Sequence, residues 1–192
     1  GGRGYPRLKP PFPAVKGLFG QPTIVNNVEP LADLPHLFRK GLAWYVGLGT
    51  PPLTAAEAPP RGTMGSLGPK MFCLSGHVNK PGVYEFPMGV SLRTVIYDPK
   101  YGGGIWKGRK LKACVPGGAS MKILRADEID VAVCYDAFAK AGTSMGAAGC
   151  FVMDETTCIV NACLNLMRFY AHESCGQCTP CREGSGWMEK LF

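Results

Sequence analysis

Long apolar runs are missing from this sequence. No stretch approaches the roughly 20 apolar residues that a membrane-spanning helix requires, and nothing near the start resembles a signal peptide, so a soluble chain without direct membrane insertion is expected. Charge is also sparse, at 18% of residues against 46% hydrophobic. That balance excludes a disordered chain and favours packed structure. Acidic residues are the scarcer sign, 14 against 21 basic, leaving a net charge of +7. The densest basic cluster, Lys107, Arg109, Lys110 and Lys112, has no aromatic interleaving and no nucleic-acid-binding signature, so it reads as a solvated surface and no nucleic-acid partner is expected. A starting methionine is absent, and the last residues, Leu191 and Phe192, fall inside a helical pattern; a piece of a longer polypeptide is the natural expectation. At 192 residues the chain has room for one sizeable core or two small ones.

What is present falls into segments. Six prolines between Pro6 and Pro30 hold the opening strip extended. From Leu31 to Leu48 the apolar residues Leu34, Phe38, Leu42 and Tyr45 recur at helical spacing, which predicts an amphipathic helix, broken near Gly41, with its stripe packed inward. Residues 51–69, rich in Pro, Gly, Ala and Thr, read as a loop or linker. Strands are expected at Met71–Leu74, Gly82–Phe86, Leu111–Val115 and Val131–Tyr135, with a short helix capped by Ser91 that carries Leu92, Val95 and Ile96 on one face. Together these make an α+β arrangement, a small sheet wrapped on one helix. Asp154 is a candidate helix N-cap, and the helix after it, with Val160, Leu164, Met167 and Tyr170 on one stripe, delivers the chain to Cys175.

Cysteine is plentiful. There are nine, an odd number, in a chain too long for a small disulfide scaffold, so reduced thiols are expected. Cys175, Cys178 and Cys181 stand in one run, "ESCGQCTPCREG". Soft thiolates at C-x2-C-x2-C spacing surround a single polynuclear centre more readily than separate tetrahedral sites. An iron–sulfur cluster with its fourth ligand elsewhere is therefore preferred over zinc or unliganded thiols. Gly176 frees the loop to turn tightly and Pro180 stiffens it. His172 has no second histidine nearby and reads as a packing or hydrogen-bonding residue. The other six cysteines, Cys73, Cys114, Cys134, Cys150, Cys158 and Cys163, occur singly and read as small buried hydrophobes.

Three stretches in one order, "PRLKPPFPAVKGLFGQPTIVNNVE", "LSGHVNKPGVYE" and "ESCGQCTPCREG" followed by "GWMEKLF", give the chain a resemblance to the NADH-binding flavoprotein subunit of respiratory complex I. The resemblance implies the C-terminal edge of an α/β flavin domain over 1–50, a ubiquitin-like β-grasp domain over 70–142 and the start of a helical [4Fe–4S] domain over 143–192. It implies that Val25, Asn26 and Asn27 line an FMN pocket, although Asn26-Asn27 by itself reads as an ordinary turn. It further implies that Cys175, Cys178 and Cys181 ligate the cluster with a fourth cysteine beyond Phe192. Pro30 departs from the threonine that relatives usually carry.

The implied chemistry is an electron relay from NADH through FMN to the [4Fe–4S] cluster and on towards quinone. Backbone N–H groups around Gly176 and Thr179 are expected to hydrogen-bond cluster sulfurs. The Gly-rich nucleotide loop is absent, so this chain alone is not expected to be catalytically complete. Implied partners are other peripheral-arm subunits, among them a [2Fe–2S] subunit, together with the remaining part of this one. The implied place is the matrix side of the inner mitochondrial membrane, or the cytoplasmic side of a bacterial one. Two alternatives stand beside it: a diaphorase subunit of an NAD-linked hydrogenase or formate dehydrogenase, and a non-catalytic β-grasp interaction module.

Overall fold

The computed structural model describes residues 4–50 and 65–192, so most of the expected 51–69 linker lies outside the described residues. Contacts divide the chain into one unit of Gly1–Pro35 with Cys158–Phe192 and a second of His36–Thr157. The Pro-rich opening strip is irregular, apart from a 3-10 turn at Leu18–Gly20. Asn27 then starts helix α1, Val28–Lys40, with its Oδ1 accepting the Glu29 backbone N–H at 3.0 Å. This contact satisfies one of the orphan donors of a helix start. Pro30 sits in that first turn, where a missing N–H breaks no helical bond. Gly41, at φ 84°, interrupts the helix before α2, Leu42–Gly47.

The break at Gly41 is where the sequence puts it, but of the expected stripe Tyr45 alone is half-buried. Leu34, Phe38 and Leu42 are 38%, 83% and 68% exposed. Spacing decides which side chains share a helix face; it does not supply an element to cover that face.

The second unit is built on a five-stranded sheet. Its strands are β1 (Pro69–Gly76), β2 (Gly82–Pro87), β3 (Leu111–Val115), β4 (Leu124–Arg125) and β5 (Gly149–Asp154). They lie in the order β2-β1-β5-β3-β4, with β1 and β5 parallel and every other pair antiparallel. On β1, Phe72 and Leu74 point inward and Met71 and Cys73 outward, the period of two that buries one face. Helix α3, Leu92–Tyr97, lays Leu92, Val95 and Ile96 into the core with Phe72, Phe86, Leu124 and Phe138. Ser91 stands at the N-cap of α3 without a side-chain capping bond. Helix α4, Tyr135–Lys140, closes the unit; the Cys134 sulfur accepts the Ala137 N–H at its start. This is a β-grasp-like mixed sheet around one short helix.

Two expectations change here. Val131–Tyr135 is not a strand: Ala132 makes an isolated bridge to Ser91, and the pairing is cut short because α3 begins at Leu92 and α4 at Tyr135. In its place the sheet takes Gly149–Asp154, from the stretch expected to open the cluster domain. Cys73 to Gly76 pair with Gly149 to Val152 on one side, and Val152 pairs with Cys114 on the other. Gly76 makes this possible, since at φ 83° a Cβ there would stand 2.3 Å from the Val152 carbonyl oxygen.

The remaining helices belong to the first unit: α5 (Ile159–Glu173), α6 (Thr179–Arg182) and α7 (Gly184–Leu191). Cys158, not Asp154, is the N-cap of α5. The half-buried stripe of α5 includes Ile159, Cys163, Leu166 and Tyr170; Leu164 and Met167 are also half-buried, whereas Val160 is 51% exposed. α5 and α7 pack together, and Arg168 pairs with Glu189 at 3.5 Å. Among the described residues no helix is long and apolar enough to cross a membrane.

Candidate metal centre

The three clustered cysteines leave the end of α5 on a short loop. Ser174 is the C-cap of α5, Cys175 follows, Gly176 turns the chain at φ 79°, and Cys178 is the N-cap of α6, which carries Cys181. The sequence signal for the turn is Gly176, because a left-handed backbone strains any residue with a Cβ. All three thiols are exposed, and none is in a disulfide. Ser174, by contrast, is 4% exposed. Its Oγ accepts the Gly176 N–H at 3.2 Å and lies 3.3 Å from the Cys181 Sγ.

Two further side chains hold the loop. Arg182 donates from Nη1 to the carbonyls of Gly176 and Gln177 at 3.1 and 3.4 Å, and from Nη2 to Thr179 Oγ1 at 3.3 Å. Ser185, 9% exposed, donates to the Cys181 carbonyl at 2.5 Å. The Gly176 N–H is thus committed to Ser174 and is not aimed outward at a sulfur, contrary to expectation. Sequence reasoning passed over Ser174, Arg182 and Ser185; their closeness to the thiols in sequence was the available signal. His172 is exposed and sits 3.2 Å from Glu173 Oε1, a hydrogen-bonding position.

Among the described residues no group of three His, Cys, Asp or Glu side chains is gathered closely enough to hold one metal ion. A cubane takes each thiolate on a different iron, so its protein ligands stand further apart than those of a single ion. Three accessible thiols on one loop, none in a disulfide, fit that donor set in chemistry. Of the other six cysteines, Cys114, Cys134 and Cys150 are buried as expected, whereas Cys73 and Cys158 are exposed and Cys163 is intermediate. Cys73 differs because it occupies an outward position of β1, and Cys158 because it caps a helix start. The Cys150 thiol is pushed well up, first by its hydrogen bond with Cys114 and then by burial.

The residues expected at a flavin lie in the first unit. Val25 lines an apolar hollow of about 350 Å³ with Phe12, Pro13, Ala14, Thr23 and Ile24. Asn26 and Asn27 are exposed, and the Asn27 side chain caps α1.

The second unit holds a buried carboxylate that sequence reasoning had assigned to a helix cap. Asp154 is fully buried and accepts from Trp106 Nε1 at 2.8 Å, Arg109 Nη1 at 2.9 Å, Thr156 N at 3.0 Å and Thr156 Oγ1 at 2.7 Å. Its own N–H donates to His77 Nδ1 at 3.2 Å, and the His77 ring stacks on Trp106 at 4.7 Å. Burial would raise this carboxyl, but the bonds from Arg109, Trp106 and Thr156 outweigh it and hold it well below the usual carboxylate range. Arg109 therefore turns inward, and Lys112 donates to the Thr157 carbonyl, so two members of the expected solvated cluster are structural. The arrangement ties the end of β5 to the loops at His77 and Trp106.

Residues 161–192 match the model of the NADH-ubiquinone oxidoreductase-F iron-sulfur binding region, and residues 71–124 match the SLBB domain. The F 2 subunit of NADH-quinone oxidoreductase in Rhizobium meliloti (strain 1021) is 47% identical over 192 residues, all of this chain and 42% of that protein. The F subunit of the same enzyme in Rickettsia rickettsii (strain Sheila Smith) is 48% identical over 193 residues, again all of this chain and 42% of that one. Its counterpart in Mycobacterium bovis (strain ATCC BAA-935 / AF2122/97) is 43% identical over 192 residues, all of this chain and 40% of that one. A crystal structure of an NAD+-reducing [NiFe]-hydrogenase in the air-oxidized state superposes with a TM-score of 0.72 at 34% identity, covering 96% of this chain and 29% of that one. The chain is thus homologous along its whole length to the F subunit of NADH-quinone oxidoreductase, of which it spans 40–42% in these relatives.

Proposed function

We propose that this chain is the cluster-bearing part of the NADH-binding flavoprotein subunit of complex I, and that Cys175, Cys178 and Cys181 supply three of the four thiolates of a [4Fe–4S] cluster. The observation that carries the proposal is the loop itself: three exposed thiols on a turn held from behind by Ser174, Arg182 and Ser185. The match of residues 161–192 to an iron-sulfur binding region supports it independently. The fourth thiolate comes from outside this chain: Cys114, Cys134 and Cys150 are buried in the second unit's core, Cys73 lies on the sheet strand β1, Cys163 is in the body of α5, and Cys158 caps the opposite end of that 15-residue helix, about 22 Å of helix away from the loop.

When bound, the flavin accepts hydride from NADH and the cluster accepts single electrons. The protein's part is to hold these groups and set their surroundings. Val25 contributes to the apolar hollow of the first unit, where it would face a flavin ring. Asn27 commits its side-chain oxygen to Glu29, which leaves its NH2 to donate to a polar flavin atom, with Asn26 beside it. Residues 4–35 then belong to the edge of the flavin domain and 158–192 to the start of the cluster domain, while 36–50, expected in that edge, group by contacts with the second unit. The β-grasp domain between them runs through β5 to Thr157, past the expected boundary at residue 142. Partners are the rest of the same subunit and neighbouring peripheral-arm subunits, one of them carrying a [2Fe–2S] cluster.

A diaphorase role is favoured by one observation, the 34% identity to a chain of the NAD+-reducing hydrogenase. Subunits co-purifying with the native protein separate the two: quinone-reducing partners support the first reading and a nickel–iron subunit the second. The placement is a membrane-attached peripheral arm, on the matrix side in a mitochondrion or the cytoplasmic side in a bacterium. The named relatives are bacterial and lend nothing to the mitochondrial choice. The direct test is anaerobic addition of NADH to the full-length subunit. Bleaching of a flavin band followed by a cluster electron paramagnetic resonance signal is expected, and a preparation holding iron and flavin that does not respond would overturn the proposal.

A further inference from the structure

Ser174 stands behind the loop as a buried hydroxyl with two engagements, the Gly176 N–H at 3.2 Å and the Cys181 sulfur at 3.3 Å. A hydroxyl has one hydrogen to give and two lone pairs. The Gly176 N–H occupies one lone pair. As a thiol, Cys181 donates its hydrogen to the other. A cysteine that ligates iron does so as a thiolate and has no hydrogen left, so the contact survives only if the direction reverses and the Ser174 O–H donates to sulfur. We propose that Ser174 is a positioning residue that donates a hydrogen bond to the Cys181 thiolate and thereby raises the reduction potential of the cluster. This rests on the ligand assignment above.

The sign follows from charge. A reduced cluster carries one more electron, spread partly onto its sulfur ligands, and a donor aimed at a ligand sulfur stabilises that form more than the oxidised one. The placement follows from the rest of the loop. Cys181 is pinned at its carbonyl by Ser185 and its turn is braced by Arg182, contacts that do not involve the Ser174 hydroxyl. Removing that hydroxyl should therefore leave the cluster in place and change its electronics. Ser174 itself is 4% exposed, so no solvent water competes for its O–H.

The experiment is a redox titration, followed by electron paramagnetic resonance, of the full-length subunit with Ser174→Ala and Ser174→Thr. The alanine variant should retain wild-type iron and sulfide content, and its reduced-to-oxidised ratio at fixed poise should fall by up to about tenfold, which is about 59 mV for one electron. The threonine variant, which keeps the hydroxyl, should titrate near wild type. Full cluster content with an unshifted potential in the alanine variant would overturn the role of Ser174 while leaving the ligands standing. Loss of the cluster in the alanine variant with normal content in the threonine variant would also overturn it, by making the hydroxyl a structural requirement. Absence of a cluster from the wild-type subunit would strike the ligand assignment instead.

Discussion

Replacing Gly76 with alanine should loosen the join between β1 and β5 on which the β-grasp unit depends. Two costs add. Gly76 sits at φ 83°, a backbone conformation that costs an alanine about 1–2 kcal/mol. The new Cβ would also stand 2.3 Å from the Val152 oxygen and 2.8 Å from its nitrogen. Those atoms belong to a paired strand, so relief requires the parallel ladder to part locally, with loss of at least one bond such as His77 N–H to Val152 O, 2.9 Å, worth about 1 kcal/mol. A total of about 3 kcal/mol follows, which lowers Tm by on the order of 10 °C in a unit of this size. Gly149 is the control. It lies in β5 beside Cys73, has no left-handed φ, and offers open space to a Cβ, so Gly149→Ala should shift Tm by no more than a few degrees. Thermal melts of both variants decide the matter, and equal Tm values would refute the strand contact as described.

Asp154 predicts a pH dependence. Its carboxyl is held low in the folded chain, so its stabilising contribution is fully present above the unfolded value of about 3.9 and is lost as pH falls below it. Asp154→Asn should melt below wild type at pH 7, with the gap narrowing below about pH 4; a gap that stays constant would contradict the network. Among the cysteines, alkylation of the native chain followed by mass spectrometry should mark Cys73 and Cys158 well before Cys114 and Cys150, and equal rates would show that the core is open. The double change Asn26→Ala with Asn27→Ala should weaken flavin retention in the full-length subunit about fivefold, the worth of one neutral hydrogen bond. An unchanged flavin-to-protein ratio would remove these residues from the pocket.

What the sequence disclosed depended on how local the cause was. The turn at Gly176, the break at Gly41 and the helix face of Leu92, Val95 and Ile96 follow from residues within one or two turns of chain, and the structure has them. Long-range pairing was harder. "GCFVMD" has the composition of a buried strand, but nothing local says that its partners are β3 and β1, the latter 75 residues earlier where the Ser75 hydroxyl donates to the Cys150 carbonyl. Val131–Tyr135 has similar composition and gains no ladder. Asp154 has the right residue type for a cap, and only the fold reveals that Trp106 and Arg109 reach it across 48 and 45 residues. At the candidate metal centre the proposed ligands rest on soft thiols at fixed spacing, which the sequence displays. Ser174 was not legible, since a serine beside a cysteine is ordinary until its burial and its 3.3 Å contact with Cys181 are seen.

The central claim is that Cys175, Cys178 and Cys181 hold an iron–sulfur cluster and that no other cysteine of this chain does. Iron and acid-labile sulfide content, with the electron paramagnetic resonance signal, should be measured in the full-length subunit carrying Cys178→Ser and, separately, Cys163→Ser. The first should lose the signal and the bound iron, while the second should keep both at wild-type levels. A signal that survives Cys178→Ser, a signal that Cys163→Ser abolishes, or zinc in place of iron in the native protein would contradict the account.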